Sequence, residues 1–532
     1  MNKPGHYDAI IIGAGHNGLV CGFYLARAGL RVKILEARPV VGGAAVTEEF
    51  HPGFRNSVGA YTVSLLNPRI IDDMGLHRHG LKIVERPVSN LWPQPDGRYL
   101  ALGGRADMVR EIGKFSKKDA AAAAGWFAAL GRVADVLRDQ VLRAPPNAGG
   151  GLRDALGALM LGNRLRRLGL ADQQLLFDML SKSAAEILDL WFESEIVKGA
   201  IAFDSIVGFY GSPYEPGSAY VLLHHAFGEV NGKKGQWGHA IGGMGAISQA
   251  MAKTATGQGV DIECDSPVAA VLTGRGRVTG VECTDGRQFR APVVAANVTP
   301  RLLFDKLLPE AAVPPEFSRR MKGWKCASGV LRMNVALKTL PDFSCLKGID
   351  AEQRRALLGA GIVIGPDVAY LHAAIDDARR LGWSRRPIIE MLIPSLADNS
   401  LAPAGGHVAS LFCQQFAYRL PDGRRWEDEA DKAADHVIDT VDGYAPGFGD
   451  SVIGRMVLSP RGLEKKFGLT GGDIFHGALT LDQIFSARPM LGHAAYRMPL
   501  GGLYLCGSGA HPGGGVTGAP GHNAARAIIG AR

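Results

Sequence analysis

Residues 7–43, YDAIIIGAGHNGLVCGFYLARAGLRVKILEARPVVGG, restrict the possible folds of this chain more than any other stretch. Ala9, Ile10, Ile11 and Ile12 are apolar without alternation, as in a strand buried on both faces. They run into Gly13-x-Gly15-x-x-Gly18, and a helical pattern follows that stops at Gly29. A second strand, Val32 to Leu35, delivers Glu36 eighteen residues after Gly18. This is the dinucleotide fingerprint in its required strand–turn–helix–strand setting.

The residue types follow from what they must do. Gly13 permits the tight turn, Gly15 lets a pyrophosphate lie against bare backbone, and Gly18 allows the helix to approach the strand. Helix amides and dipole then face the phosphates, and Glu36 accepts hydrogen bonds from a ribose. Ala37 and Arg38 follow, then the pair Gly42-Gly43, and a glycine pair directly after the ribose acid is similar to the pattern of flavoproteins that bind FAD.

The rest of the 532 residues excludes several classes. With 46% apolar and 21% charged residues the chain reads as an ordinary globular protein of two or three domains. Lysine and arginine exceed the acids by 8, yet no basic block with interleaved aromatics argues for nucleic acid. Seven scattered cysteines, never as C-x-x-C, point to a reducing compartment and offer neither a redox disulfide nor a metal knuckle, so no metal is expected. The first strand begins within ten residues of Met1, which points to the cytoplasm, with association at a membrane surface open. Residues 498–525, the longest uncharged stretch, hold nine glycines and three prolines, which is turn chemistry rather than a lipid-spanning helix.

Along the chain, residues 51–87 read as irregular, and from about residue 105 to 198 helical periods dominate. Within them, residues 151–170 place Arg153, Arg164, Arg166 and Arg167 beside leucines. The segment reads first as a core-facing helix with a solvated polar side, and alternatively as a basic surface lying on lipid. Gly242-Gly-Met-Gly245 opens another helix, but no buried strand precedes it and Ser248 stands where a third glycine belongs, so a separate NAD site is not expected. The runs GVDIECDSPVAAVL, VTGVEC, RQFRA and VVAAN read as a β-meander. Further strands are expected in SGVLRMNVAL, GIVIGP and PIIEMLIPS, and an amphipathic helix in WEDEADKAADHVIDTVDGY. Near the end, GLYLCGSGAHPGGGVTG repeats the strand and glycine-rich turn ahead of a helix, a second cradle for the far part of a cofactor.

GAGHNGL with LEAR and VVGGAAVTEE, the central QWGHAIGGMG and the closing LYLCGSGAHPGGGVTG together resemble the phytoene dehydrogenase-related FAD oxidoreductases. The resemblance implies an α/β fold with a Rossmann-like FAD-binding domain in discontinuous segments and an inserted mixed helix/sheet substrate domain. The expected boundaries are FAD-binding segments at 1–86, 235–300 and 470–532 and substrate-domain segments at 87–234 and 301–469. It implies that Gly13, Gly15, Gly18, Glu36, Gly42 and Gly43 hold the ADP half and that the Val268 backbone meets the adenine. Gly507, His511, Gly513, Gly514 and Val516 would line the flavin half.

In such a protein the flavin takes a hydride from an activated C–H bond of a small hydrophobic substrate, with oxygen or a quinone as acceptor. A new double bond also needs a proton to leave, and no paired carboxylate or His-Asp motif marks the base. His511, Tyr61, Arg55 and His239 are the candidates, each with a structural alternative. Competing readings are an amine or amino-acid oxidase, with Lys325 as a flavin-facing lysine, and a flavin-binding protein whose task is interaction. An oligomer remains open.

Overall fold

The computed structural model describes residues 6–104, 107–147 and 149–531. Arg105, at the start of the helical periodicity, and the Arg153 side chain lie outside the described residues.

Two sheets organise the molecule. The first is five-stranded and wholly parallel, in the order Asp261–Glu263, Val32–Leu35, Ala9–Ile12, Val294–Ala296, Leu503–Leu505. Its three central strands, together with Leu503–Leu505, are buried on both faces, which is what an apolar run without alternation demands. Three chain regions far apart in sequence therefore close one sheet. Helices His16–Arg27, Met244–Gly257 and Ala519–Ile529 pack around it. The strands deliver Glu36, Gly13, Asn297 and Cys506 side by side at their carboxyl ends, where open α/β sheets bind ligands.

The expected meander is shorter than its sequence pattern. Val268–Gly274, Arg277–Cys283 and Gln288–Arg290 form it, while VVAAN leaves it to enter the parallel sheet between Ala9–Ile12 and Leu503–Leu505. The difference is physical: Val294, Ala295 and Ala296 are all buried, whereas the meander strands expose alternate positions. Residues 51–87 are also more regular than expected. They complete a hairpin, Thr47–His51 with Phe54–Ser57, and form the helix Pro68–Met74, whose Asn67 side chain caps the Arg69 amide. These elements are too short to leave a periodic signature.

The second sheet has seven strands: Val452–Leu458, Val330–Leu337, His407–Phe416, Trp383–Leu392, Gly361–Ile364, Asn90–Pro93, Tyr99–Leu102. One face is ordinary core: Leu331, Met333, Leu411 and Ile389 pack against Ala433, Val437 and Val441 of the helix Trp426–Asp442. The other face is buried yet polar. Paired strands place Arg332 opposite Phe412 and Phe412 opposite Glu390, with Asn334 opposite Ser410 on the next same-face rung. A buried polar face is costly unless its groups are satisfied, so each of these side chains needs a partner.

A helical layer around Trp126 completes the fold. The helix Lys117–Arg138 is long and apolar enough to cross a membrane by length and composition, and its Ala123, Trp126 and Val133 lie in that core.

Candidate functional site

A cavity of about 490 Å³ opens at the carboxyl ends of the parallel strands and is walled on its far side by the polar face of the second sheet. Gly13, Gly15, Glu36, Ala37, Arg38, Gly42, Gly43 and Val268 all line it. Gly13 has φ +94°, a conformation that favours glycine, and a Cβ on Gly15 would sit 2.8 Å from Asn297 Nδ2. Gly18 stands behind the wall: a Cβ there would fall 2.2 Å from the Gly13 carbonyl oxygen, so its part is to bring helix and strand together.

Glu36 is buried, and its carboxylate is shaped by the turn it faces. Oε2 accepts the Ala14 amide at 2.7 Å and Oε1 the Arg38 amide at 3.0 Å. Burial raises its pKa while those amides oppose the rise. Asn297, which the sequence reading did not single out, lines the cavity and donates through Nδ2 to the Gly13 carbonyl at 3.2 Å. Positive charge comes from Arg38, paired with Glu48, and from Lys465 and Lys466, the latter 2.5 Å from Glu48. Lys465 and Lys466 lie more than 400 residues from the fingerprint, and no local motif marks them.

The glycine-rich turn near the end of the chain contributes differently from expectation. Ser508, Gly515 and Val516 line the cavity; Gly507, Gly513, Gly514 and His511 do not. Gly514 lies against Phe475, where a Cβ would meet ring and backbone at 2.0–2.6 Å, and Gly507 packs on Asn297. Arg488 explains why. Fully buried, it donates to the carbonyls of Ser508 at 2.8 Å, Phe475 at 2.7 Å and Gln483 at 2.9 Å, pinning the turn to its neighbouring loop. His511 points into that packing: Nε2 lies 3.2 Å from the Gln140 carbonyl, Phe485 stands edge-on to its ring, and burial lowers its pKa to about 4.

His16 and His476 line the cavity instead, neither anticipated, and each leaves one ring nitrogen, Nε2 and Nδ1 respectively, without a partner. His16 is the first variable position after Gly15, the only signal the sequence carried. Orphaned nitrogens, the orphaned Asn17 Oδ1 and a backbone cradle that rejects any Cβ fit a polar, phosphate-bearing ligand, and with Glu36 they fit the expected FAD. Among the described residues no group of three or more His, Cys, Asp or Glu is arranged to hold a metal ion.

Of the proton-transfer candidates, Tyr61 alone lines this cavity. Its hydroxyl donates a short hydrogen bond to Glu390, its ring stacks on Phe412 at 5.2 Å, and the Arg332 guanidinium lies 4.5 Å from the ring centroid. Behind Glu390 sits Arg86, 3.6 Å away and equally buried, whose Nη2 donates to Thr62 Oγ1. Burial, then the Glu390 charge, push the Tyr61 phenol well above its ordinary pKa. Gly361 leaves room for this cluster: a Cβ there would lie 2.6 Å from Glu390 Oε1 and 2.8 Å from Arg86 Nη1.

The other candidates are elsewhere. Arg55 is exposed on the Thr47–His51/Phe54–Ser57 hairpin, because alternation in a two-stranded ribbon turns it away from the buried Phe54 and Asn56. His239 lines a separate cleft of about 230 Å³ that shares Tyr61 with the main cavity, and its Nε2 lies 3.1 Å from Asp398. Although burial raises the Asp398 pKa, His239, Ser400 and the Gly242 amide together hold it well below the usual carboxylate range. Lys325 is half exposed and paired with Asp482 at 2.9 Å, outside the cavity.

Comparison with known proteins agrees with this geometry. A family model described as flavin containing amine oxidoreductase matches residues 18–330. Pyridine nucleotide-disulfide oxidoreductase domain-containing protein 2 of Rattus norvegicus is 42% identical over 99% of this chain and 94% of its own length. A limonene dehydrogenase chain of Castellaniella defragrans is 25% identical, covering 99% and 95%, and prolycopene isomerase 2, chloroplastic, of an Oncidium hybrid cultivar is 23% identical, covering 97% and 82%. Among solved structures, cyclohexylamine oxidase from Brevibacterium oxydans superposes with a TM-score of 0.56 at 17% identity, covering 99% of both chains, a likeness of fold alone.

Proposed function

The chain belongs to the flavin containing amine oxidoreductase family and is an FAD-dependent oxidoreductase, and from that premise we propose that it dehydrogenates or isomerises a hydrophobic, uncharged substrate. One observation carries this reading. Among the described residues, Glu36 is the sole carboxylate lining the cavity, and its oxygens already face backbone amides at the ribose position. The substrate end is walled by Val207, Leu302, Phe412, Leu463, Leu469 and Phe475, with cations rather than anions beside them. A protonated amine would find no carboxylate in that wall to pair with, which makes its desolvation costly. The names of two relatives, limonene dehydrogenase and prolycopene isomerase, support the same substrate class.

When bound, FAD would be held by Gly13, Gly15, Glu36, Gly42 and Gly43 and would supply the acceptor for a substrate hydride, with oxygen or a quinone as the oxidant. The chain's own residues handle the proton. Because the Tyr61 hydroxyl donates to Glu390, its oxygen lone pairs are free to receive a proton from a substrate carbon while the phenolic proton passes to the carboxylate. The high phenol pKa keeps Tyr61 protonated between turnovers, so it acts as a conduit rather than a standing base. Arg86 beside Glu390 and Arg332 against the Tyr61 ring hold the pair in place. The apolar wall of Val207, Leu463, Leu469 and Phe475 keeps water away from the Tyr61 hydroxyl.

The test is anaerobic mixing of the holoprotein with limonene, a linear polyene and cyclohexylamine in separate arms. Bleaching of the visible flavin band, or product isomer formation, with a hydrocarbon arm is expected. Bleaching by the amine alone would replace the proposal with an amine oxidase, and no response in any arm, with reduced flavin inert to oxygen and quinones, would favour a binding role.

A further inference from the structure

The helix Leu152–Arg166 departs from the expectation that its leucines face the core at Leu152, Leu156 and Leu159. Among its described residues none is buried: Leu152 is 78% exposed, Leu159 68%, Met160 60% and Leu156 46%. At about 100° per residue these four and Asn163 fall within one arc, and Arg166 and Arg167 close the same stripe at its carboxyl end within about 120°. The opposite side is also apolar, with Leu165 and Leu168 packed against the helical core. The helix thus has a face for the protein and a second apolar face with nothing on it. The next helix, Leu170–Ser181, continues the pattern by exposing Leu170 and Phe177, one i,i+7 pair. Apolar groups concentrated on exposed helix faces in this way mark an interaction surface.

We propose that this stripe lies in the interface of an anionic lipid bilayer, its leucines and methionine among the acyl chains and the Arg166 and Arg167 guanidiniums at the headgroups. Charge decides the occupant. Neither arginine forms an ion pair among the described residues, whereas Arg164, off the stripe, is 2.6 Å from Asp139. No carboxylate lies on the stripe: Asp154 turns away and accepts the Asn147 amide at 2.8 Å. A second copy packed antiparallel would bury both guanidiniums against Leu152 and Leu156, and a parallel copy would press four guanidiniums together, so neither arrangement pairs them. Phosphate headgroups pair both while acyl chains cover the leucines, the division of labour of an interfacial helix.

Flotation of the full-length holoprotein with vesicles of phosphatidylcholine alone, or with phosphatidylglycerol added, tests this. The expected result is flotation with the anionic vesicles that weakens as salt rises. Arg166→Glu/Arg167→Glu is expected to lower partitioning onto anionic vesicles at least about thirtyfold, since each basic group near such a surface contributes roughly fivefold. Leu156→Ser/Leu159→Ser is expected to lower it about tenfold or more on either vesicle. These side chains are exposed, so FAD content and thermal unfolding should match the parent and exclude misfolding as the cause. Parent protein that stays with the soluble fraction in both vesicles, or variants that float like the parent, would overturn the proposal. So would sedimentation showing a dimer that the leucine variant abolishes, because the stripe would then belong to a second copy.

Discussion

Two glycines in the first helix should respond to the same substitution in opposite ways. In Gly18→Ala the new Cβ would lie 2.2 Å from the Gly13 oxygen, 3.3 Å from the Gly13 carbonyl carbon and 3.0 Å from Asn297 Nδ2. The closest of these belongs to backbone, which cannot rotate aside, and the separation is more than 1 Å short of ordinary contact. The helix must lift from the strand and drag the turn that faces the phosphates, while the Asn297 bond to Gly13 resists. Overpacking of this kind costs about 1–3 kcal/mol, and because the strained turn is the cradle itself, FAD affinity should fall roughly five- to a hundredfold. In Gly22→Ala, one turn along, the Cβ would be 2.8 Å from Ile34 Cδ1, the tip of a flexible side chain, against a gain of roughly 1 kcal/mol in helix propensity. Gly22→Ala should therefore bind FAD as the parent does. Titrating apoprotein with FAD by fluorescence quenching, alongside denaturant unfolding, reads both quantities. If Gly18→Ala binds like the parent, or both variants lose affinity equally, the steric account of the fingerprint is wrong.

Other sites give sharper expectations about the chemistry. Tyr61→Phe and Glu390→Gln should each keep FAD yet slow anaerobic flavin reduction by about a hundredfold or more in single-turnover measurements, and the double variant should be little slower than either single. Glu390→Gln should also cost about 3 kcal/mol in denaturant unfolding, because it strands buried Arg86, whereas Tyr61→Phe should cost nearer 1. Arg55→Ala should leave FAD content and reduction rate unchanged, and His511→Ala should lower stability without altering the pH profile of reduction. Burial holds His511 near pKa 4 and His224 near 3, so each stays neutral when folded, and their contribution is complete above about pH 6.5. It is lost as pH falls from 6.5 toward 4 and 3, by up to about 3 kcal/mol for His511 and about 5 kcal/mol for His224. Burial and the Glu390 charge raise Asp204 to about 7, which works oppositely between pH 4 and 7, so Asp204→Asn should stabilise the protein at neutral pH and steepen the acid decline in unfolding midpoint.

The cradle was legible because its chemistry is local. Gly13, Gly15, Gly42 and Gly43 act through backbone and Glu36 through its carboxylate, all within forty residues, and each lines the cavity as its spacing implies. On the proton-handling side only Tyr61 was singled out in the sequence, and its partners were not, for the opposite reason. Tyr61, Arg86, Arg332 and Glu390 come from four separate segments: strand pairing turns Arg332 and Glu390 to one face of the second sheet, and two loops bring Tyr61 and Arg86 onto that face. In the sequence, Glu390 is one acid inside PIIEMLIPS, and only pairing shows that it faces Tyr61. At the glycine-rich turn Ser508, Gly515 and Val516 line the cavity in place of the expected Gly507, Gly513 and Gly514, and Arg488, which donates to the Phe475 and Ser508 carbonyls, lies outside the motif. The leucines of residues 152–160 misled because helical periodicity reveals an apolar stripe without saying whether protein or something else covers it.

The central claim is that a cavity whose lining holds no carboxylate other than Glu36 at the ribose position passes a substrate proton through Tyr61 to Glu390. Its most direct test is the single-turnover bleaching of the flavin by an uncharged hydrocarbon, compared between parent protein and Tyr61→Phe at matched FAD occupancy. The account predicts bleaching in the parent and its near loss in the variant. Bleaching that requires a cationic amine, or proceeds equally fast without the phenol, would contradict it.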